Sequence, residues 1–169
     1  MDAKFKDIRF IYLPPMVCAS VQCISVSPES DSLEAVCKLI SDYDLINRKP
    51  DLRHFGFTPN FYNEGNQNIG AYERWITVPE DLILPEPFVK KNIKGGMYAA
   101  HMVPIGNFDE TAQLIHQLRG HNGIELLSSD EDSLLEEYLN IFLLMQKGTD
   151  VFYKESQIDL LIKIKSRHL

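Results

Sequence analysis

The sequence is poor in basic residues and in cysteine. Its 17 lysines and arginines are outnumbered by 24 aspartates and glutamates, which gives a formal net charge of −7. Nucleic-acid binding needs clustered basic side chains, so this balance argues against a direct nucleic-acid partner. The basic cluster of note, Lys90, Lys91 and Lys94, is typical of a solvated sheet edge. The three cysteines include no Cys-x-x-Cys pair, which argues against a disulfide framework and a zinc knuckle.

Long apolar runs are also missing. The longest extends from Tyr138 to Met145, contains Asn140, and is far shorter than a bilayer-spanning helix. The N-terminal residues lack the apolar segment and cleavage site of a secretory signal. The sequence therefore predicts a cytoplasmic protein without a membrane partner, with its cysteines as free thiols. A length of 169 residues predicts one domain with its own core.

The motifs of common enzyme classes do not occur in the sequence. It has neither a Gly-x-Ser-x-Gly segment nor a phosphate-binding loop, and its five histidines do not have metal-ligand spacing. We therefore predict no cofactor and no metal site.

Hydrophobic periodicity predicts the order ββαββ for the first half of the chain. A capping box at Asp31 and Glu34 favours a helix that starts at Ser27-Pro28 or Asp31 and continues to about Tyr43. Alternating patterns predict a strand pair before this helix and two strands after it, at residues 8–13, 16–24, 54–58 and 71–78.

The second half repeats this order. A helix is predicted after an Asn107 cap, with Glu110 as its capping-box partner. The strands are predicted at residues 88–93 and 97–103, around a Lys94-Gly95-Gly96 turn, and at 134–140 and 158–165. The apolar stretch 139–145 is interpreted as the end of a buried strand, with a short covering element over a cleft as the alternative.

The repeated order predicts an α+β fold built from duplicated ββαββ halves. The pseudo-repeats span about residues 5–82 and 86–169 of a single domain, without a DNA-binding domain. When the two halves are aligned, Tyr72–Ile76 corresponds to Ile158–Ile162, so each half has an acid at the same step of its last strand. Two such halves commonly pack about a pseudo-twofold axis, and a ligand cleft is expected between them.

Two acid–aromatic pairs are the candidate chemistry of the chain. Glu73 precedes Trp75 by two residues, and Glu136 precedes Tyr138 by two, so in a strand each pair projects from one face. A carboxylate beside an aromatic ring is suited to hold an organic cation. The alternative is a half-buried sheet face whose acid is solvated.

Five segments together resemble one domain family. They are YERWITVPED (72–81), LPEPF (84–88), GGMYA (95–99), LEEYLN (135–140) and IDLLIKIK (158–165). In this order, over nearly the whole chain, they resemble the GyrI-like (gyrase-inhibitory-protein-like) effector-binding domain. That domain also occurs at the C-termini of AraC-type and MerR-type bacterial transcription regulators.

The resemblance implies a central cavity that binds bulky, lipophilic, often cationic molecules. It implies that Glu136 is the buried counter-ion, with Tyr138 beside it. Trp75, Tyr98 and Phe57 resemble wall aromatics of this cavity, and Glu73 joins them as a candidate ligand-binding residue. No helix-turn-helix precedes the domain, because the first strand already begins at Phe5, so a stand-alone effector domain is expected.

Three functions follow, of different classes. The first is binding of a lipophilic, cationic small molecule, for drug or xenobiotic sensing or sequestration. The second is hydrolysis of strained, cyclopropane-containing genotoxins, with Glu136 and Glu73 as acid and base. The third is inhibition of a nucleic-acid enzyme or regulator through the acidic run Asp130–Glu137, in which Asp130 and Asp132 are expected to be exposed. A protein partner or a homodimer is left open.

Overall fold

The computed structural model describes residues 8–59, 68–104, 109–120 and 123–166. Phe5, Asn107 and the stretch 60–67, which enter the predictions above, lie outside these residues. All eight predicted strands and both predicted helices are present, with shifted ends. The elements are β1 Arg9–Leu13, β2 Met16–Ser25, α1 Pro28–Asp42, α2 Leu45–Arg48, β3 His54–Phe57, β4 Gly70–Thr77, β5 Val89–Ile93, β6 Gly96–Pro104, α3 Asp109–Arg119, β7 Ile124–Leu126, β8 Leu134–Tyr138, α4 Ile141–Lys147, α5 Thr149–Glu155 and β9 Gln157–Ser166.

The fold is mixed α+β with antiparallel strand pairing, which confirms the predicted class. The chain divides into two compact units. Unit 2 is Met16–Ile93, and unit 1 joins Met1–Pro15 to Lys94–Leu169. The predicted pseudo-twofold axis and the cleft between halves stay predictions.

Unit 2 contains the strand order β3-β4-β2-β5. Helix α1 has Pro28 in its first turn, a position where a missing N–H removes no helical bond. Its buried residues Leu33, Val36 and Ile40 recur at helical spacing and pack the helix on β2 and β4. One face of the sheet is thereby covered by α1.

Unit 1 contains the strand order β1-β6-β9-β8. Strand β9 is long enough to pair with two strands in succession on one side. Its first half pairs with β8 and its end pairs with β7. The chain between these two short strands leaves the sheet after Leu127 and returns at Ser133, and both of these residues bond the backbone of Lys163. Helix α3 packs against β7.

The predicted pairing of the first two strands is wrong. Strand β1 pairs with β6, and β2 pairs with β5, so the predicted turn at Lys94-Gly95-Gly96 does not join a strand pair either. Only Pro14 and Pro15 separate β1 from β2. A two-residue hairpin needs positive φ, which proline cannot adopt because its ring fixes φ near about −65°.

The stretch 139–145 is also corrected. Strand β8 ends at Tyr138, and residues from Ile141 form α4. The leucines, methionine, glutamine and lysine of this segment are good helix formers, and their local preference prevails over continuation of the strand. In the described part of the chain, no helix combines the length and apolar character needed to cross a membrane.

Gly95 occupies a position that a side chain cannot share. Its φ is +77°, and an added Cβ would lie 2.6 Å from the Leu13 carbonyl oxygen and 2.8 Å from the Pro15 nitrogen. We expect Gly95→Ala to lower the free energy of unfolding by about 2 kcal/mol, because left-handed strain and a backbone clash add. Gly148→Ala is the matched control, since Gly148 has φ +84° with open space around it. Equal losses in urea denaturation of both variants would contradict the clash.

Candidate functional site

Glu73 is held by two neutral donors in unit 2. The Ser20 hydroxyl donates to Glu73 Oε1 at 2.6 Å, and the Trp75 indole N–H donates to the same oxygen at 2.5 Å. The second oxygen, Oε2, accepts no hydrogen bond from the residues that the structure describes. The side chain is half-buried on the sheet face that points away from α1. Both donors are uncharged, so the carboxylate is fixed in place and its charge is not compensated by them.

Trp75 serves as a support for this carboxylate. Its side chain is only 1% exposed. The Phe57 ring meets it edge to face, with centroids 5.5 Å apart and an interplanar angle of 81°. The Lys91 ammonium lies 5.9 Å from the centroid of the indole ring. The predicted pair therefore shares one face, but Trp75 holds Glu73 through its N–H and is too buried to present its ring to solvent.

The other face of β4 carries a buried arginine. Arg74 donates from Nε to the Ser32 hydroxyl at 3.1 Å, from Nη2 to the Glu29 carbonyl at 3.2 Å, and lies 3.2 Å from His54 Nε2. Its guanidinium stacks 4.8 Å from the centroid of the Tyr72 ring. Burial, and then the charge of Arg74, lower the pKa of His54 well below its usual value. A neutral His54 is thus suited to accept from Arg74.

Glu136 and Tyr138 share the face of β8 that also carries Leu134. Leu134 lines a cavity of about 410 Å³ together with Ile115 of α3 and Ile162 of β9. Glu136 is half-buried and Tyr138 is buried. This pair therefore lies on the α3 side of the unit 1 sheet.

Tyr98 lies on the opposite face of the unit 1 sheet, next to Lys163 in the register of β6 and β9. Its hydroxyl donates to the Asp132 carbonyl at 3.0 Å, and the Lys163 ammonium lies 5.8 Å from its ring centroid. Burial, and then the charge of Asp132, raise the pKa of Tyr98. The phenol is thus engaged by the protein itself, on a different face from Glu136.

The acidic segment between β7 and β8 is an ion-pair cluster. The Lys163 ammonium donates to Asp132 Oδ1 at 2.8 Å and to Asp130 Oδ2 at 3.1 Å. Lys94 donates through its backbone N–H to Asp132 and through its ammonium to Asp130. Asp132 is 2% exposed, so the expectation that it belongs to an exposed acidic surface is wrong. The lysines hold the pKa of the Asp130 carboxyl below its usual value, Lys94 first and Lys163 second.

Of the six predicted site residues, three form one cluster: Glu73, Trp75 and Phe57 in unit 2. Sequence reasoning missed Ser20, the second donor to Glu73. No sequence signal indicated this contact, because the strand 16–24 was predicted to pair with residues 8–13 and not with the strand of Glu73. A serine that faces an acid across a sheet is a ready donor only once that pairing is known. Among the described residues, no group of three or more His, Cys, Asp or Glu side chains could hold a metal ion.

Comparison with solved structures identifies the fold as that of GyrI-like effector-binding domains. The C-terminal domain of EcmrR is 14% identical with a TM-score of 0.57, over 94% of this chain and 97% of that one. An uncharacterized conserved protein from Listeria innocua is 12% identical with a TM-score of 0.59, over 96% and 94%. A hydrolase from Listeria innocua is 11% identical with a TM-score of 0.58, over 94% and 91%. At these identities the likeness shows the fold alone.

The family itself comes from a sequence model. The model of the Cass2 family, integron-associated effector binding proteins, matches residues 9–164, so the chain belongs to this family. Membership assigns the chain to small-molecule binding, without naming a ligand. The chain spans 57% of the EcmrR chain seen in a complex with DNA. Comparison with curated protein sequences gave no match.

Proposed function

We propose that the protein binds lipophilic, cationic small molecules through the carboxylate of Glu73. The observation that carries this proposal is the way Glu73 is held. Ser20 and Trp75 both donate to Oε1, while Oε2 accepts from none of the described residues. The carboxylate is thus oriented, half-buried and not neutralised by its donors. The Phe57 ring packs against Trp75 beside the same carboxylate.

The energetics favour a cation over a neutral ligand. A cation desolvated against an aromatic ring gains on the order of 2 kcal/mol. A charge-assisted hydrogen bond to a carboxylate is roughly twice as strong as a neutral one. Because the carboxylate is preorganised, little side-chain entropy is lost when the ligand binds. Recognition by charge and apolar shape predicts broad specificity.

Glu136 and Tyr138 remain part of the proposal as a separate acid–aromatic pair. They lie in unit 1, on the α3 side of its sheet, and Leu134 on the same face lines a cavity there. Testing Glu136 beside Glu73 decides which acid is the counter-ion. The cytoplasmic location also stays a prediction.

The experiment is fluorescence anisotropy with a planar lipophilic cationic dye. We expect Glu73→Gln to weaken dye binding by about tenfold or more, because the substitution removes a charge worth ~1.4 kcal/mol or more of binding free energy. Glu80→Gln is the matched control, since Glu80 follows the same strand and its side chain is exposed. An unchanged affinity in Glu73→Gln with a loss in Glu136→Gln would move the site to unit 1. Unchanged affinity in both variants would refute recognition by a carboxylate.

Hydrolysis is the second candidate, since one protein that shares the fold is a hydrolase. Mass analysis of the dye, and of a cyclopropane-containing substrate, recovered after incubation separates binding from turnover. A ligand recovered unchanged supports a binding protein. A hydrolysed ligand, with turnover lost in Glu73→Gln, would replace binding by catalysis.

A further inference from the structure

Unit 1 contains a second acid at the position that Glu73 has in unit 2. Glu73 on β4 lies opposite Gln22 of β2 and Phe57 of β3. Asp159 on β9 likewise lies between β6 and β8, opposite Met102 and Glu137. The sequence register that aligned Glu73 with Asp159 therefore corresponds to the same step of each sheet.

The surroundings of the two acids differ in one respect. The residues of unit 1 that match Ser20 and Trp75 in register are Ala100 and Leu161, whose side chains cannot donate a hydrogen bond. Among the described residues, the one side-chain donor to Asp159 is Arg9, whose Nη2 lies 2.5 Å from Oδ1. The acid of unit 1 is thus ion-paired with a cation of the protein itself, Arg9.

Arg9 is poorly anchored compared with the acid that it covers. It lies on β1, at the edge of the sheet, and its side chain is 51% exposed, whereas the Asp159 side chain is 4% exposed. An exposed guanidinium returns to water at little cost, and a half-exposed ion pair contributes only modestly to stability. The buried carboxylate, by contrast, needs a cation whenever Arg9 leaves.

A cavity of about 600 Å³ opens at this ion pair. Arg9 and Asp159 line it together with the apolar side chains of Ile8, Met102 and Leu139. The hydrogen bond and then the charge of Asp159 raise the pKa of Arg9, and the charge of Glu137, opposite Asp159 in the sheet, makes the smallest contribution. The wall also contains His101 and Gln157, and within it Asp159 is the carboxylate that a cation other than Arg9 can bind.

We propose that this cavity is a second ligand site, which takes a small organic guanidinium or amidinium that displaces Arg9 from Asp159. The ligand's planar N–H donors replace those of Arg9, and its apolar part contacts Met102 and Leu139. Arg9 therefore competes with the ligand for one carboxylate. This site does not depend on the proposed role of Glu73.

Isothermal titration with benzamidine tests the competition. All variants are made in a Glu73→Gln background, so that binding at Glu73 cannot contribute. We expect Arg9→Gln to bind benzamidine about tenfold tighter than the background protein, because the internal competitor is gone. Asp159→Asn is expected to lose binding. No gain in Arg9→Gln, or retained binding in Asp159→Asn, would overturn the proposal.

A second variant keeps the test decisive if Asp159→Asn does not fold. Leu139→Trp fills the cavity and leaves both members of the ion pair in place, and we expect it to abolish benzamidine binding. The midpoint of thermal unfolding of Arg9→Gln should also rise with benzamidine more than that of the background protein. If Arg9→Gln is only less stable, and benzamidine changes neither protein, the ion pair is structural and the proposal is wrong.

Discussion

Replacing Lys163 by methionine is expected to lower the free energy of unfolding by about 3–5 kcal/mol, because it leaves a buried carboxylate without its cation. Lys163 is 5% exposed and bonds both Asp130 and Asp132, of which Asp132 is buried. Methionine retains the length and apolar character of the lysine stem, so the loss reports on charge. Urea denaturation monitored by circular dichroism measures it.

Lys94→Met is the matched control for this prediction. Lys94 bonds Asp130 as well, but its side chain is 70% exposed, so its ammonium contributes little to stability. Combining Lys163→Met with Asp132→Asn should recover part of the loss, because the uncompensated charge is removed. If Lys94→Met and Lys163→Met lose the same free energy, burial does not determine the strength of these ion pairs.

Arg74→Met is expected to lower the free energy of unfolding by about 3–4 kcal/mol. Hydrogen bonds to a charged group contribute about 1.5–3 kcal/mol each, and the relieved desolvation of the buried guanidinium offsets part of the loss of three of them. The substitution removes donors from Ser32, His54 and the Glu29 carbonyl; Arg74, Ser32 and His54 are fully buried. Arg74→Lys should also be destabilising, since one ammonium cannot reproduce the planar fork. Arg48→Met, on the exposed surface of α2, should change stability little. A loss as small in Arg74→Met as in Arg48→Met would show that the buried guanidinium is dispensable.

Local patterns predicted ten of the fourteen elements that the structure describes, and β7, α2, α4 and α5 were not predicted. Alternation predicted β4 over residues 71–78, and the structure has Gly70–Thr77. Apolar spacing and the start at Ser27-Pro28 predicted α1, which is Pro28–Asp42; the predicted capping box is wrong, because Asp31 lies inside the helix. The same patterns did not determine which strands pair. Pairing depends on contacts distant in sequence, and the two prolines before Met16 were the local signal against a strand pair.

The candidate site was predicted only in part, because the sequence shows local spacing but not which elements pack together. Spacing by two placed Glu73 and Trp75 on one face, and the hydrogen bond between them confirms it. Burial, however, depends on what packs against a face, so the sequence could not show that Trp75 supports the carboxylate. The acidic run was misinterpreted because Lys94 and Lys163, which neutralise it, are distant along the chain from Asp130 and Asp132.

The pairing of β1 with β6, on the far side of unit 2 in the sequence, has a consequence for synthesis on the ribosome. All strands of the unit 2 sheet lie within Met16–Ile93, so this sheet can be completed before the second segment of unit 1, Lys94–Leu169, is translated. Strand β1 emerges first, yet its partner β6 is made only after the whole of unit 2. During that interval Phe10 and Tyr12, which stay largely exposed even in the finished fold, lie on a strand without its partner. Unpaired strands of this kind are prone to association during folding, so we expect β1 to be a site of association until β6 is made.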